Sequence, residues 1–127
     1  MIRNFLILSC IGKNDKIGLK VNDDFFIHDL SSNVKKNDLL TINILNLIKK
    51  YKVNLNVDFS LLVNCGPGSF SSTRTSLAVA KGIKLAKKIK LYGFKNSDLG
   101  QFNLININIL IKKDLLQNNL IKPLYLS

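Results

Sequence analysis

Phe59-Ser60-Leu61-Leu62-Val63-Asn64-Cys65-Gly66-Pro67-Gly68-Ser69-Phe70-Ser71-Ser72-Thr73-Arg74 passes from an apolar run through a glycine–proline turn into a segment of helical spacing. The run from 59 to 63 reads as a strand buried on both faces. Gly66 and Gly68 allow backbone angles and close approaches that a side chain forbids. The free N–H groups of the following helix, from about Ser71 to Lys90, offer a place for an anion. The Gly-Lys-Ser/Thr of a phosphate-binding loop is missing, so a structural turn is the first reading. Leu91 to Phe94 reads as a further strand.

Upstream, Asp38 is suited to cap a helix that runs through about Lys52. Leu40, Ile44, Leu47, Ile48 and Tyr51 fall on one face of it, while Leu39, Ile42 and Leu45 fall toward the opposite side. Before it come three expected strands, Phe5 to Ile11, Ile17 to Val21 and Phe25 to Leu30, separated by the turns Gly12 to Lys16 and Asn22-Asp23-Asp24. Strands and helices alternating at these lengths imply parallel, right-handed crossovers. The expected fold class is therefore α/β: a ribonuclease H-like (actin-like ATPase superfamily) half-domain, a three-strand meander followed by strand-helix-strand-helix-strand, with a reduced C-terminal segment. Residues 1–98 form the expected N-terminal domain and 99–127 the remnant of a second. Within that remnant, Leu104 to Ile111 alternates Ile with Asn and predicts a half-buried strand. Asp114 to Ser127 predicts a short helix and a tail.

The 127 residues suit one domain, and an apolar fraction of 46% suffices for a core. The net charge of +11 points toward a polyanion. It rests on 17 Lys and only 2 Arg, beside 16 Asn, 15 Ile and no Glu. These are residues of A/T-rich codons, and arginine is what a dedicated phosphate binder favours. Cys10 and Cys65 lie in expected strands and read as buried free thiols. One histidine and no Cys-x-x-Cys leave no zinc site. The apolar start after Arg3 is short for a secretion signal of about 7–15 apolar residues, and no run approaches the roughly 18 of a membrane span. A cytoplasmic protein without membrane contact is the expectation.

Read as a whole, Asn64 to Arg74 resembles the Gly-Pro-Gly-Ser-Phe-Thr-Gly-x-Arg signature of the TsaB (YeaZ) family. Leu77, Ala78, Val79, Ala80, Lys81, Gly82 and Ile83 continue the likeness into the helix, and Tyr92-Gly93-Phe94 and Ser97 extend it. It covers about residues 1 to 98, and the closing Pro123-Leu124-Tyr125-Leu126 is similar to the family's last residues. The resemblance implies a catalytically inert subunit, without cofactor, needed for the threonylcarbamoyl modification of the tRNA adenosine beside the anticodon. Its implied partner is TsaD, docked on the two helices of the N-terminal half, with TsaE in the wider complex. A homodimer through the same helices is also implied, and tRNA contact is indirect or weak. The chain departs from the pattern in reading Leu8-Ser9-Cys10 where relatives have Ile-Asp-Thr/Ser, in Ser72 where Gly is usual, and in its smaller C-terminal part.

On the second helix the sequence places Leu85, Ala78, Ile89, Gly82, Ala86, Val79 and Ile83 on the core arc. Arg74, Lys81, Lys84, Lys87 and Lys88 fall on the outer arc with Leu77 and Ala80. Leu39, Ile42, Leu45, Leu77, Ala80, Lys81 and Lys84 are accordingly the expected partner-binding residues. Gly66, Pro67, Gly68, Ser69, Phe70 and Arg74 are the motif loop, with Phe70 and Arg74 bracing it. No catalytic or metal-binding residue is expected: neither Ser69 nor His28 has a base or partner at motif spacing. The alternative is an RNA-binding module acting through the basic arc of the second helix.

Overall fold

The computed structural model describes residues 2–30 and 37–118, with the side chains of 37–39 left aside. The elements are β1 (Phe5–Ser9), β2 (Lys16–Val21), β3 (Asp24–Asp29), α1 (Asn37–Lys50), β4 (Ser60–Asn64), α2 (Phe70–Lys87), β5 (Lys90–Phe94), α3 (Asn96–Leu99) and α4 (Leu104–Lys112). The five strands lie in the order β3-β2-β1-β4-β5. β1 pairs antiparallel with β2, and β2 with β3, whereas β1–β4 and β4–β5 are parallel. The meander and both crossovers thus form as expected. A parallel neighbour cannot be reached through a tight turn, so α1 and α2 supply the connections.

β1 and β4 stand in the middle, and their continuous apolar sequence is buried on both faces. One face carries Leu6, Leu8, Leu61 and Val63 under α1 and α2; the other carries Phe5, Ile7 and Leu62 under α3 and α4. Gly18 on β2 has a packing reason: a Cβ there would come within 2.8 Å of Ile7 and Phe25. Phe26 of β3 stacks on Tyr51 just past α1, with ring centroids 3.9 Å apart, and fixes the outer strand against the first helix.

Three expectations are corrected. The Ile–Asn alternation of Leu104 to Ile111 forms the helix α4, not a strand. Asn103 decides it, its Oδ1 accepting the Asn106 N–H at 2.8 Å as an N-cap. The helix turns Ile107 and Leu110 onto the second sheet face, which otherwise would expose Phe5, Ile7 and Phe94. The helix expected from Asp114 does not form over the described residues. Asp114 instead takes a left-handed φ of +57°, and Gln117 returns to bridge Gly93 on the outer edge of β5. Asp38 lies inside α1, which begins at Asn37, so it is not the residue preceding the helix. The closing Pro123-Leu124-Tyr125-Leu126 lies outside the described residues. Among the described residues no helix is long and apolar enough to cross a membrane.

Candidate functional site

β4 delivers the motif loop to the carboxyl ends of the parallel strands, where open α/β sheets place their ligands. Asn64, the last residue of β4, is fully buried, and its carboxamide holds three neighbours. Its Nδ2 donates to Ser9 Oγ at 3.2 Å and to Asn96 Oδ1 at 3.0 Å, while its Oδ1 accepts the Gly66 N–H at 2.9 Å. The Gly66 carbonyl accepts the Asn96 N–H at 2.8 Å, so β1, β4 and the start of α3 are tied at one point. Gly66 has φ +97°, a left-handed angle that glycine adopts without strain, and its bond to Pro67 is cis.

Gly68 answers a different need. A Cβ there would reach within 2.7 Å of the Ile11 carbonyl oxygen, the same oxygen that accepts the Ser69 N–H at 2.9 Å. Ser69 then caps α2, its Oγ accepting the Ser72 N–H at 3.2 Å and its carbonyl the Thr73 N–H at 3.0 Å. The amide groups of Gly66, Ser69, Ser72 and Thr73 are therefore satisfied within the protein, as a structural turn requires. Phe70 is 57% exposed, and the Arg74 guanidinium lies over its ring at 5.8 Å, one helical turn on. Motif residues Gly66, Gly68, Ser69, Phe70 and Arg74 thus form one braced corner.

The groups at this end do not fit a Mg²⁺–phosphate site. The motif corner gathers the Ser9 hydroxyl, the carboxamides of Asn64 and Asn96, and the buried thiols of Cys10 and Cys65, where a hard cation calls for carboxylates. Asp29 at this end is paired with Lys16, and among the described residues no three acidic, histidine or cysteine side chains come together to hold a metal ion. Asp15 is close by, but its Oδ1 closes the β1–β2 turn on the Gly12 N–H at 2.9 Å. Burial, helped by the Asp15 charge, pushes the Cys10 thiol up to about 12. Burial raises Cys65 as well, against the opposing pull of the Phe94 backbone and Lys81. Neither thiol is poised as a nucleophile. His28, near the end of β3, faces Asn43 Oδ1 at 3.2 Å.

The second candidate surface is the outer side of α1 and α2, which pack side by side on one sheet face. Ile42 and Leu45 of α1 are exposed by 49% and 52%. Leu39 belongs to α1, but its side chain lies outside those described. On α2 the sequence assignment of faces is corrected. Leu77 and Ala80, expected outside, are buried in the core. Leu85, Ala78, Gly82 and Ala86, expected inside, are exposed, with Leu85 81% open. Thr73, Ser76, Leu77 and Ala80 make the buried stripe at spacings of three and four, and the Ser76 hydroxyl is satisfied by the Thr73 carbonyl at 3.1 Å. Small and hydroxyl side chains let the helix lie close to the sheet; their spacing was visible, but counting only apolar letters hid it. Lys81 and Lys84 are exposed as expected.

No family model matches the chain. Over 92 residues it is 33% identical to the tRNA threonylcarbamoyladenosine biosynthesis protein TsaB of Buchnera aphidicola subsp. Schizaphis graminum (strain Sg), a stretch that makes up 69% of this chain and 43% of that protein. Among solved structures, YeaZ from Pseudomonas aeruginosa matches with a TM-score of 0.63 at 20% identity, over 76% of this chain and 44% of that one. A structure described as an uncharacterized protein with similarity to peptidase YEAZ from Pseudomonas aeruginosa matches equally, with TM-score 0.63 and 20% identity over the same shares. The chain spans less than half the length of the relatives it matches. The structural likeness, with the strand order β3-β2-β1-β4-β5, shows the expected ribonuclease H-like α/β half-domain fold. The shared sequence, the motif corner and the common fold together make this chain a member of the TsaB (YeaZ) family.

Proposed function

We propose that the chain is a non-catalytic docking subunit in the threonylcarbamoyl modification of tRNA, binding a TsaD-type protein through the outer faces of α1 and α2. The observation that carries this reading is the set of exposed apolar and small residues on two helices that pack against each other. Ile42 and Leu45 project from one, Ala78, Gly82 and Leu85 from the other. Gly82 has open space where a side chain would stand, so a partner helix can approach the backbone there. Lys81 and Lys84 flank the stripe as a polar rim, the arrangement of an interface with an apolar centre. The motif corner is read as a brace that sets where α2 begins. TsaE joins the wider complex in this reading, and a homodimer through the same face competes with TsaD.

Co-purification with the TsaD-type protein of the same organism tests the proposal. The native chain is expected to form a stable complex, and Ile42→Asp with Leu85→Asp to weaken it by about 100-fold or more, since central apolar anchors carry on the order of 2 kcal/mol each. The double variant should still fold and melt cooperatively, because Leu85 is almost wholly in water and Ile42 about half. A native chain that never associates, or tRNA modification that proceeds fully without it, would overturn the reading.

A further inference from the structure

The fold gathers lysines at one end of the sheet, opposite the motif corner. α1 and α2 both run from the carboxyl ends of the strands back to their amino ends, because each precedes a parallel strand. Lys49, Lys50 and Lys52 close α1, while Lys87, Lys88 and Lys90 span the end of α2 and the start of β5. All six are exposed. Lys90 stands in register with Ser60 at the first step of β4, which marks the same edge.

Cations in the last turn of a helix offset its dipole, and that accounts for Lys49, Lys50 and Lys87. It does not account for the other three. Lys52 and Lys88 follow their helices in left-handed conformation, with φ of +52° and +55°. Glycine or asparagine takes that position at less cost than lysine. Lys90 lies beyond the helix altogether. The carboxylates at this end are Asp23, Asp24 and Asp58. None is paired with these lysines: among the described residues the ion pair is Lys16–Asp29, at the other end of the sheet.

We infer that this edge binds the phosphate backbone of RNA, leaving the α1–α2 outer face free for a protein partner. Two lysine trios on adjacent helix ends form a band that meets successive phosphates as point charges, without reading sequence. Tyr51 is already stacked on Phe26, with Lys50 over its ring at 5.4 Å, so this edge offers backbone contact and no base stacking from that ring. The choice of RNA among polyanions rests on the pathway proposed above.

The test is fluorescence anisotropy of the full chain with an unmodified tRNA transcript, titrated at several salt concentrations. Binding at low salt is expected, with a slope of log K against log salt of about −2 to −4, corresponding to roughly three to five phosphates. Replacing one trio (Lys87→Gln, Lys88→Asn, Lys90→Gln) should weaken binding about tenfold or more and flatten the slope by about 2. The other trio (Lys49→Gln, Lys50→Gln, Lys52→Asn) should behave alike; asparagine keeps the left-handed positions unstrained. Lys112→Gln with Lys113→Gln, at the end of α4 under the second sheet face, should change affinity less than about twofold. Absence of binding at the lowest salt, equal weakening by the α4 pair, or binding of anionic lipid vesicles but not tRNA would each overturn the inference. Edge variants that lose RNA should still co-purify with the TsaD-type protein. A native chain that binds RNA but does not co-purify with the TsaD-type protein would instead sink the docking proposal.

Discussion

At Gly68 the space for a side chain is already filled by Ile11. Gly68→Ala must push the loop away from β1 or break the Ser69 N–H bond to the Ile11 carbonyl. A loss of about 1–3 kcal/mol is expected in urea unfolding. The glycines were legible in sequence as places of close approach, but Ile11 as the group approached was not, since it depends on which strand lies beside β4. Cys10 and Cys65 carry a second prediction. Both thiols are held above their ordinary value of 9.0 by burial, Cys10 at about 12. An acid whose folded pKa is raised keeps its proton while the unfolded chain releases its own. Stability is therefore unaffected below about pH 8 and falls between pH 9 and 12. Cys10→Ser with Cys65→Ser should flatten that alkaline decline in melts run across the range. Native thiols should resist iodoacetamide at about pH 8 until the chain unfolds.

Leu77 and Leu85 sit about two turns apart on α2 and roughly 80° apart around its axis. Leu77 is 4% exposed and Leu85 81%. Leu77→Ala should cost about 2–4 kcal/mol, Leu85→Ala less than about 0.5, as read by chemical unfolding. The reverse order would mean that α2 is rotated. Sequence reasoning placed both helices within a few residues but not the roll of α2. Its apolar residues are spread around the helix, and the close contact with the sheet goes to Thr73 and Ser76, which are not apolar. α1 was legible because Leu40 and Ile44 anchor a clear stripe. α4 was misread for a related reason. Five residues alternating Ile and Asn fit a period of two as well as part of a helix, and the deciding group, Asn103, lies outside the alternation.

The sheet is a shared wall, with α1 and α2 on one side and α3 and α4 on the other. The central strands bury residues on both sides, so neither half of the core is expected to survive alone. A chain ending at Gln101 would uncover Phe5, Ile7, Leu62 and Phe94, and is predicted to lose its cooperative melting transition in calorimetry or circular dichroism. Retention of a sharp transition would show that α4 is dispensable. The expected meander and crossovers were readable because strand length, turn residues and helix period agree with one another over 1–98. The roles of 104–118 were not, because they depend on which face of the sheet remains to be covered. The knot beneath the motif loop has a consequence for the molecule as a whole. Ser9, Asn64, Asn96 and Ser69 hold it with hydroxyl, carboxamide and backbone groups alone. None of these gains or loses a proton between about pH 4 and pH 9. The corner is thus a joint indifferent to acidification: amide chemical shifts at Gly66 and Asn96 should hold steady across that range.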